Sequence, residues 1–562
     1  MTELALPITG ANGKARAAGL NAAAAIAARP APLVEYRSTG ALIVIGPKDR
    51  SVAAAERLTK TLRCTVTAQD AGDQPRTARE VLATPGDLTV LFDKVIQVTG
   101  HLGQFAVVVT APPPAGGINL LQKLGSPRTH FDLVLDLTDP PFVRDEMPPF
   151  GYYAPGADAA ALEKALNELP EMVGEFQKPR FFNYNPDICA HKANGITGCT
   201  RCLDACPTSA IISIGEEVAV DPYKCQGAGL CASVCPSGAM TYVYPSVYDH
   251  LAKLAGLFKA YRATGGATPV ILYHDADGGR ARMAALAARL PEHVIPYEIA
   301  ELGSVGMDVW LAAIAYGAAG VWLLPSPTTP KRAYSELNEQ IGYTREILEG
   351  MGYAGGMVAL VDGDDEAVLA SSQLPSSVGV RAPAAFAAFN EKRTTLRLAI
   401  EHLFAYAPEP HTEVPLTQGA PFGQILVNRE TCTLCMACVG ACPVGALADG
   451  ASLPQLQFIE GNCVQCGLCE ATCPENAISL AARFLYDPEA RRSSRVLHEE
   501  APFHCISCGK PFATDKMMTR MTEKLKGHWM FQTDEALRRV QMCGDCRVRD
   551  VFKADHKRKE TL

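Results

Sequence analysis

Apolar runs alternate with helix-like segments in the first part of the chain. Residues 41–46 (ALIVIG) are continuously apolar, and the helix-like segment SVAAAERLTKTL follows at 51–62. Further apolar runs occur at 88–93, 105–111 and 131–137. Short apolar runs separated by helical segments are typical of buried strands in a mostly parallel sheet. This pattern predicts an α/β domain over residues 37–180.

A second α/β unit is predicted over residues 246–385. Residues 245–263 show helical periodicity, with leucines and aromatic residues on one side. The strand-like runs PVILYHD (269–275) and GVWLLP (320–325) then flank the helix-like MDVWLAAIAYG. Neither unit contains a G-x-G-x-x-G fingerprint or a phosphate-binding lysine loop, so neither predicts a nucleotide site.

Nineteen of the 20 cysteines fall into three groups, and Cys64 stands alone as a small buried hydrophobe without a predicted role. In residues 421–483, CTLCMACVGACP and CVQCGLCEATCP both follow the C-x2-C-x2-C-x3-C-P pattern of four-iron clusters. In two-cluster ferredoxins the fourth cysteine of each run binds the other cluster. One cluster is therefore predicted on Cys432, Cys435, Cys438 and Cys473, and its neighbour on Cys463, Cys466, Cys469 and Cys442.

An earlier copy of this dicluster module is predicted over residues 181–245, and it departs from the pattern at two positions. The first cysteine is replaced by Ile196, while Cys189 stands seven residues earlier. The intervening AHKANGITG is rich in Gly, Asn and Lys, so we interpret it as a surface detour that still lets Cys189 bind. The alternative is a free buried thiol and an incomplete cluster. The predicted ligands are Cys189, Cys199, Cys202 and Cys235.

The second departure is Ala228, which occupies the second cysteine position of the other run. The remaining ligands are Cys206, Cys225 and Cys231. Three thiolates suit a three-iron, four-sulfide cluster, or a four-iron cluster whose last iron takes water or another side chain. Such an open iron can act as a Lewis acid, and an empty site is the third alternative. Gly227 and Gly229 preserve a tight loop, which favours a retained cluster.

The last group lies in the terminal segment, residues 484–562. Two C-x2-C knuckles are separated by 34 residues and contain Cys505, Cys508, Cys543 and Cys546. Four thiolates in paired knuckles predict one tetrahedral zinc ion that folds a small module. Rubredoxin-type iron or a further iron–sulfur cluster are alternatives. Zinc is favoured because no third closely spaced cysteine and no proline after the second knuckle accompany the pattern.

The composition narrows the class of protein. The chain has 562 residues, of which 48% are hydrophobic and 20% charged, as in multidomain globular proteins. A formal charge of −8 argues against nucleic-acid binding, and no apolar run has the length of a membrane span. Residues 1–36 are interpreted as a tail without a secretory signal, and residues 386–420 as a linker. A cytoplasmic location is predicted, where clustered thiols indicate metal.

The motifs CAHKANGITGCTRCLDACP and CISCGKPF, with the order of units along nearly the whole chain, resemble a family of bacterial multi-cluster 4Fe–4S ferredoxin-type proteins. Members are often encoded beside molybdenum- or tungsten-dependent formate dehydrogenase components. The resemblance supports Cys189 as a ligand and implies a formate dehydrogenase-like partner. Members commonly have a cysteine where this chain has Ala228, so the altered site is a feature of this sequence.

Residues 268–380 are also similar to the delta subunit of methyl-viologen-reducing hydrogenase, an electron-transfer partner of heterodisulfide reductases. PVILYHD and ELGSVGMDVWLAAIAYGAAGVWLLP carry the similarity. The delta subunit binds a two-iron cluster through cysteines at the ends of these strands, whereas AELGSVG and LLPSP contain none. The similarity therefore implies a docking or scaffold role for this unit.

Together these patterns predict a multidomain α/β plus α+β protein. Two Rossmann-like units alternate with two dicluster ferredoxin modules, and a zinc-knuckle module follows. The predicted cofactors are three or four [4Fe-4S] clusters, with [3Fe-4S] as an alternative at Ala228, and zinc. No flavin or nicotinamide fingerprint and no catalytic constellation is recognisable, which favours a non-catalytic electron-transfer subunit of a redox complex. The alternative is an iron–sulfur maturation factor, sensor or scaffold.

Overall fold

The computed structural model describes residues 4–69, 79–82, 88–111, 116–361, 363–364, 379–387, 389–450 and 453–560. Side chains are described for these residues except 79–82 and 554–560. Part of residues 268–380, for which similarity to a hydrogenase delta subunit is expected from the sequence, lies outside the described residues, including 365–378. Among the helices that are described, none is long and apolar enough to cross a membrane.

The N-terminal part of the chain contains the first parallel sheet. Its elements are α1 (Ala11–Ala24), β1 (Leu33–Ser38), β2 (Ala41–Gly46), α2 (Lys48–Leu58), β3 (Arg63–Ala68), β4 (Arg79–Leu82), β5 (Leu88–Leu91), β6 (Val95–Thr99), β7 (Ala106–Thr110), β8 (Gly117–Asn119), α3 (Leu120–Lys123), β9 (Leu133–Asp136), β10 (Tyr152–Tyr153), α4 (Ala159–Glu168) and β11 (Gly174–Pro179). The sheet order is β10-β9-β2-β3-β5-β4, and only β4 is antiparallel to its neighbour. In β2, Leu42 and Val44 pack into one hydrophobic cluster and Ile43 and Ile45 into another, so both faces of the strand are covered.

The apolar run at 105–111 differs from its prediction. It forms β7, which pairs antiparallel with β6 and β8 in a separate three-stranded sheet. The short connection from β6 explains this, because a few residues suffice to join antiparallel strands, whereas parallel strands need a long crossover.

The central part contains the first cysteine-rich module and the second parallel sheet. Its elements are β12 (Phe182–Tyr184), β13 (Lys192–Ala193), β14 (Ile196–Thr197), α5 (Arg201–Asp204), β15 (Ile211–Ile214), β16 (Glu217–Val220), α6 (Leu230–Val234), β17 (Met240–Tyr242), α7 (Val247–Ala263), β18 (Val270–Asp275), α8 (Gly278–Leu286), β19 (Val294–Ile299), α9 (Met307–Ala315), β20 (Gly320–Leu324), α10 (Lys331–Glu349) and β21 (Val358–Leu360). The sheet order β19-β18-β20-β21 is parallel throughout. The strands predicted at 269–275 and 320–325 are its two central members.

The segment interpreted as a tail contains α1, which packs along α7 of the second α/β unit. Ala15 and Ala23 are buried in the same core as Leu254 and Leu257, and small side chains let the two helices approach closely. Arg16 donates a hydrogen bond of 2.9 Å to the carbonyl of Val294. The helical part of this segment is therefore integrated into the folded protein.

The C-terminal part contains the second cysteine-rich module and the knuckles. Its elements are α11 (Lys392–Ala405), β22 (Glu413–Pro415), β23 (Gly423–Val427), α12 (Ala437–Gly440), β24 (Leu447–Asp449), β25 (Gln455–Phe458), α13 (Leu468–Thr472), β26 (Ile478–Leu485), α14 (Pro488–Arg492), β27 (Arg495–Glu499), β28 (Pro502–His504), β29 (Pro511–Thr514), α15 (Asp515–Leu525), α16 (Asp534–Val540) and α17 (Gly544–Glu560). Helix α11 lies in the predicted linker, yet Leu396, Ile400 and Leu403 are buried against α9 and the second α/β core.

Candidate metal centres

The predicted cluster ligands form four sets of thiols, which we name sites A to D. Site A comprises Cys206, Cys225 and Cys231; site B comprises Cys189, Cys199, Cys202 and Cys235; site C comprises Cys442, Cys463, Cys466 and Cys469; site D comprises Cys432, Cys435, Cys438 and Cys473. Sites A and B belong to the first module, and sites C and D to the second.

Site B includes the displaced cysteine. Burial raises the pKa of Cys202 to about 12, and the neighbouring thiols of Cys235, Cys199 and Cys189 contribute to that rise. The fold thus places Cys189 beside the other three predicted ligands. That Cys189 binds iron stays a prediction, now supported by its position.

Sites C and D show the crossed arrangement that the double motif predicts. Burial raises the pKa of Cys438 to about 12, and the same effect is reinforced by Cys435, Cys432 and Cys473. Cys473 belongs to the later run in sequence but lies with the earlier one in space. Likewise, the pKa of Cys466 rises to about 11 through burial and then through thiols that include Cys463 and Cys442.

The loops of sites C and D share an unusual backbone conformation. Leu434 and Met436 have φ of 53° and 59°, and Gln465 and Gly467, at the equivalent positions, have φ of 53° and 82°. Left-handed backbone costs a non-glycine residue roughly 1–2 kcal/mol, so its repetition indicates a shared structural requirement. The conformation wraps the loop so that backbone N–H groups point inward. Those of Leu434 and Gln465 donate to the first cysteine sulfur of their loops.

The Ala228 loop of site A has this same conformation. Gly227 and Gly229 have φ of 83° and 78°, at the positions equivalent to the left-handed residues of sites C and D. The N–H of Gly227 also donates to the sulfur of Cys225. The loop therefore keeps the backbone of a cluster-binding loop although its second thiol is missing.

Site A is covered by the second α/β unit. A short helical turn at Leu302–Ser304 lies against the loop, and Ala228 itself is only 8% exposed. A Cβ atom added to Gly303 would lie 2.4 Å from the carbonyl oxygen of Ala228, so only glycine permits this contact. The hydroxyl of Ser233 donates a 2.5 Å hydrogen bond to the Gly303 carbonyl. The second α/β unit thus contacts the altered site directly.

The insertion between Cys189 and Cys199 reaches the surface at its tip, where Asn194 and Gly195 are exposed, but its start is buried. It forms the hairpin β13–β14, and at its start Ala190 and His191 are 3% and 2% exposed. One ring nitrogen of His191 bonds the Cys199 carbonyl at 3.0 Å and the other bonds the Ser213 hydroxyl at 2.8 Å. The hairpin is thereby fixed to its own module.

The same hairpin joins the two cysteine-rich modules. Ala190 packs with Val464 and Leu468 of the second module, and Cys199 and Cys466 lie at the border of this cluster. A Cβ atom on Gly198 would lie 2.6 Å from Leu468 Cγ, which shows how closely the modules approach. Sequence reasoning did not identify this interface. Gly198, immediately before a ligand cysteine, was its only local signal.

Sites A to D are arranged in sequence through the molecule. The pKa of Cys231 in site A is raised mainly by burial and by the other thiols of site A. Cys202 and Cys235 of site B raise it further. Cys199 of site B contributes to the raised pKa of Cys466 in site C. Cys438 of site D contributes to the raised pKa of Cys469 in site C. Neighbouring sites are therefore within electrostatic reach of one another in the order A–B–C–D.

Cationic side chains are bonded to the backbone around sites A to C. Lys178 donates to the carbonyl of Cys225 at 2.6 Å, and Arg332 to that of Cys206 at 3.0 Å. Arg393 donates to the carbonyl of Cys463 at 3.1 Å. Burial lowers the pKa of Lys178 to about 8 and that of Arg393 to about 10, so both remain largely cationic at neutral pH. Positive charge is thus held beside sites that become more negative on reduction.

The four knuckle cysteines form a compact group. Their sulfurs all lie within 4.8 Å of one another, and those of Cys508 and Cys543 are 3.7 Å apart. Tetrahedral thiolates at about 2.3 Å from one ion lie roughly 3.8 Å apart, so the group fits a single ion. Burial alone would raise the pKa of Cys505, but N–H donors including Cys543 and Ser507 lower it to about 6. The geometry is suited to either zinc or iron.

The knuckle module contacts the second cysteine-rich module next to site D. Thr514 donates a 3.2 Å hydrogen bond to the carbonyl of Thr433, which lies between two ligands of site D. Lys516 donates to the carbonyl of Arg429 at 2.7 Å, and Arg520 forms an ion pair with Glu475. The four knuckle thiols therefore lie next to site D.

Comparison with known families assigns both cysteine-rich modules. The 4Fe-4S dicluster domain family matches residues 197–239, and the 4Fe-4S binding domain family matches residues 425–448 and 456–479. Both modules are 4Fe-4S ferredoxin-type domains. These matches contain every predicted ligand of sites A to D except Cys189. The prediction that Cys189 is a ligand is supported by its position beside the other thiols of site B. No curated protein matches the chain.

The donor chemistry fits iron–sulfur clusters. Cysteine thiolates are their usual ligands. Backbone N–H groups donate hydrogen bonds of 3.2–3.4 Å to the sulfurs of Cys473, Cys442 and Cys235. Sites B, C and D each have four thiols for a four-iron cluster, and site A has three. When bound, the clusters supply one-electron redox chemistry, while the chain positions them and sets their electrostatic surroundings.

Replacing Cys189 with serine should lower the iron content of site B. We expect a loss of one to about four irons per chain, because the three remaining thiolates hold either a three-iron cluster, as proposed for site A, or no cluster. Iron and sulfide analysis of anaerobically purified protein measures the loss. Cys64→Ser is the matched control, since burial raises the pKa of Cys64 to about 12 and no cluster ligand is among its causes. Equal iron in both variants would show that Cys189 is not a ligand.

Replacing Cys505 or Cys543 with serine should empty the knuckle site. Zinc content should fall and the terminal module should become sensitive to protease, because its small core depends on the ion. Visible iron–sulfur absorption should remain largely intact. Metal analysis and limited proteolysis measure these effects, and loss of iron with unchanged zinc would contradict the zinc assignment.

Replacing Ala228 with cysteine should supply the missing ligand of site A. The loop already has the backbone conformation of a four-cysteine site, so we expect a three-iron signal in the oxidised native protein and its disappearance in Ala228→Cys. Electron paramagnetic resonance and iron analysis test this. Identical spectra and iron contents in the two proteins would show that site A is empty or has another fourth ligand.

Proposed function

We propose that this protein relays single electrons along sites A to D between a redox enzyme and another carrier. The observation that carries the proposal is the continuous order of the four thiol sets across two ferredoxin-type domains. Each site lies within electrostatic reach of the next, and the B–C step crosses the interface formed by the β13–β14 hairpin. Electron transfer is the general role that 4Fe-4S domains support.

The two ends of this order have different surroundings. At site D, Cys435 is exposed, so a cluster there lies close to the surface. At site A, the loop is covered by the second α/β unit, whose similarity to a hydrogenase subunit supports a docking role. We propose site D as one point of electron exchange with a partner and the surface around site A as the other.

The proposed partner is a cytoplasmic molybdenum- or tungsten-dependent enzyme similar to formate dehydrogenase. This identity follows from the family resemblance of the sequence. The chain itself is proposed to be non-catalytic, with zinc in the terminal knuckles and a three-iron or open four-iron cluster at site A. A maturation factor, sensor or scaffold is the competing class. Four sites in an unbroken order favour the relay, because structural support needs no such sequence of neighbours.

Removing a ligand from site C should slow electron transfer along the chain of sites more than removing a ligand from the exposed site D. We expect Cys466→Ser to reduce transfer from reduced methyl viologen to cytochrome c, because site C connects the two modules. Cys435→Ser should slow exchange at site D. Stopped-flow recording of cluster bleaching and cytochrome reduction measures both steps, and Cys64→Ser serves as control.

A parallel experiment replaces methyl viologen with formate and a molybdenum-dependent formate dehydrogenase. Bleaching of the clusters in this mixture, with none from formate alone, is the expected result. Unchanged transfer in both serine variants would favour the scaffold or maturation class. Formate oxidation by the isolated chain would contradict its proposed non-catalytic role.

A further inference from the structure

Two adjacent cations at the start of α11 extend to different cluster sites. The ammonium group of Lys392 donates to the carbonyls of Ala232 and Ser233 at 2.8 and 2.5 Å. These two residues lie between Cys231 and Cys235 in sequence, and Cys235 interacts electrostatically with Lys392. The ammonium group of Lys392 is thus held on the side of site B, where burial lowers its pKa and Asp308 and Cys235 act in the opposite direction.

Arg393 extends to the second module. One of its terminal nitrogens donates to the carbonyls of Gly461 and Cys463 at 3.0 and 3.1 Å, and the other to that of Pro421 at 3.1 Å. Its guanidinium also stacks over the ring of Phe422, 4.7 Å from the centroid. The thiol of Cys463, in site C, interacts electrostatically with this guanidinium. The charge of Arg393 is thus held on the side of site C.

The position of both charges is fixed by packing. Leu396, Ile400 and Leu403 of α11 are buried in the core of the second α/β unit. Consecutive residues of a helix project about 100° apart, which lets one helix start direct two side chains toward different modules. The carbonyl acceptors on each module then hold the cations in place.

An acidic residue, Asp308, interacts with Lys392. Asp308 is buried at 4% exposure and interacts electrostatically with Lys392. It lies in the first turn of α9, the helix against which α11 packs. Burial raises the pKa of Asp308 and lowers that of Lys392, whereas their mutual interaction favours the charged form of both. A charged Asp308 acts on the potential at site B with the sign opposite to that of Lys392.

We propose that Lys392 and Arg393 raise the reduction potentials of the clusters at sites B and C, respectively. The proposal rests on the relay function and assigns to this chain the residues that tune its two central sites. Reduction adds one negative charge to a cluster, and a fixed cation nearby stabilises the reduced form more than the oxidised form. Removing the cation should therefore make reduction harder at the neighbouring site and leave the other central site nearly unchanged.

The test is a redox titration of the full chain followed by electron paramagnetic resonance. Lys392→Met should make reduction of site B about tenfold less favourable, which corresponds to about 59 mV for one electron. Arg393→Met should have the same effect on site C. Lys392→Arg and Arg393→Lys retain the charge and should restore most of the native potential. Signals are assigned to sites B and C from Cys202→Ser and Cys466→Ser.

Arg397→Met is the matched control. Arg397 lies one helical turn further along α11 and is exposed, so solvent screens its charge and both potentials should stay unchanged. Asp308→Asn provides a change of opposite sign and should raise the potential of site B. This variant also decides the outcome for site B if Lys392→Met loses its cluster.

The outcomes separate the two proposals. Native protein without iron at sites B and C would remove the relay itself. Retained clusters with unchanged midpoints in Lys392→Met and Arg393→Met would overturn the tuning role and leave the relay intact. An unshifted site B in Asp308→Asn, when Lys392→Met has lost its cluster, would overturn the role of Lys392. A shift of equal size in Arg397→Met would show that the effect is not specific to the two bonded cations.

Discussion

Iron binds cysteine as the thiolate, and this protein places its predicted cluster ligands where burial opposes that form. Burial is the largest cause of the raised pKa of Cys202, Cys438 and Cys466, and neighbouring thiols raise each of them further. Backbone N–H donors offset part of this cost; at Cys432 and Cys463 they come from the left-handed residues Leu434 and Gln465. A bound cluster would favour the thiolate form further, because metal binding requires deprotonated thiols.

This constraint explains why the cysteine-rich modules are held between larger hydrophobic units. Small modules with strained loops have little apolar surface of their own, whereas the α/β units supply extensive cores. Gly303 seats the second unit on the Ala228 loop, and α11 connects its core to both modules through Lys392 and Arg393. The contacts are made largely to backbone carbonyls. They therefore fix the cluster loops without depending on the side chains that the loops display.

The features predicted most accurately from the sequence are those that depend on residues close together in the chain. The buried strand at 41–46 and the paired thiols of sites C and D follow from local periodicity and spacing, and the structure contains both. Docking was harder to predict, because it depends on residues far apart in the chain. Helix α1, the interior position of His191 and the burial of α11 in a supposed linker all belong to this class. The polar and small residues of these segments looked like loops because their partners are non-local.

The altered site A is best understood from its position in the order of sites. The loop has the conformation of a cluster-binding loop although Ala228 offers no thiol, since Gly227 and Gly229 are left-handed and Gly303 packs against it. In the order A–B–C–D, sites B and C each lie between two other sites, so a change of ligand there would affect the middle of the order. Site A lies at one end, so a different cluster there changes how electrons are exchanged at that end while B, C and D keep four thiols each. In the proposed relay, a terminal site is therefore where such a substitution is best tolerated.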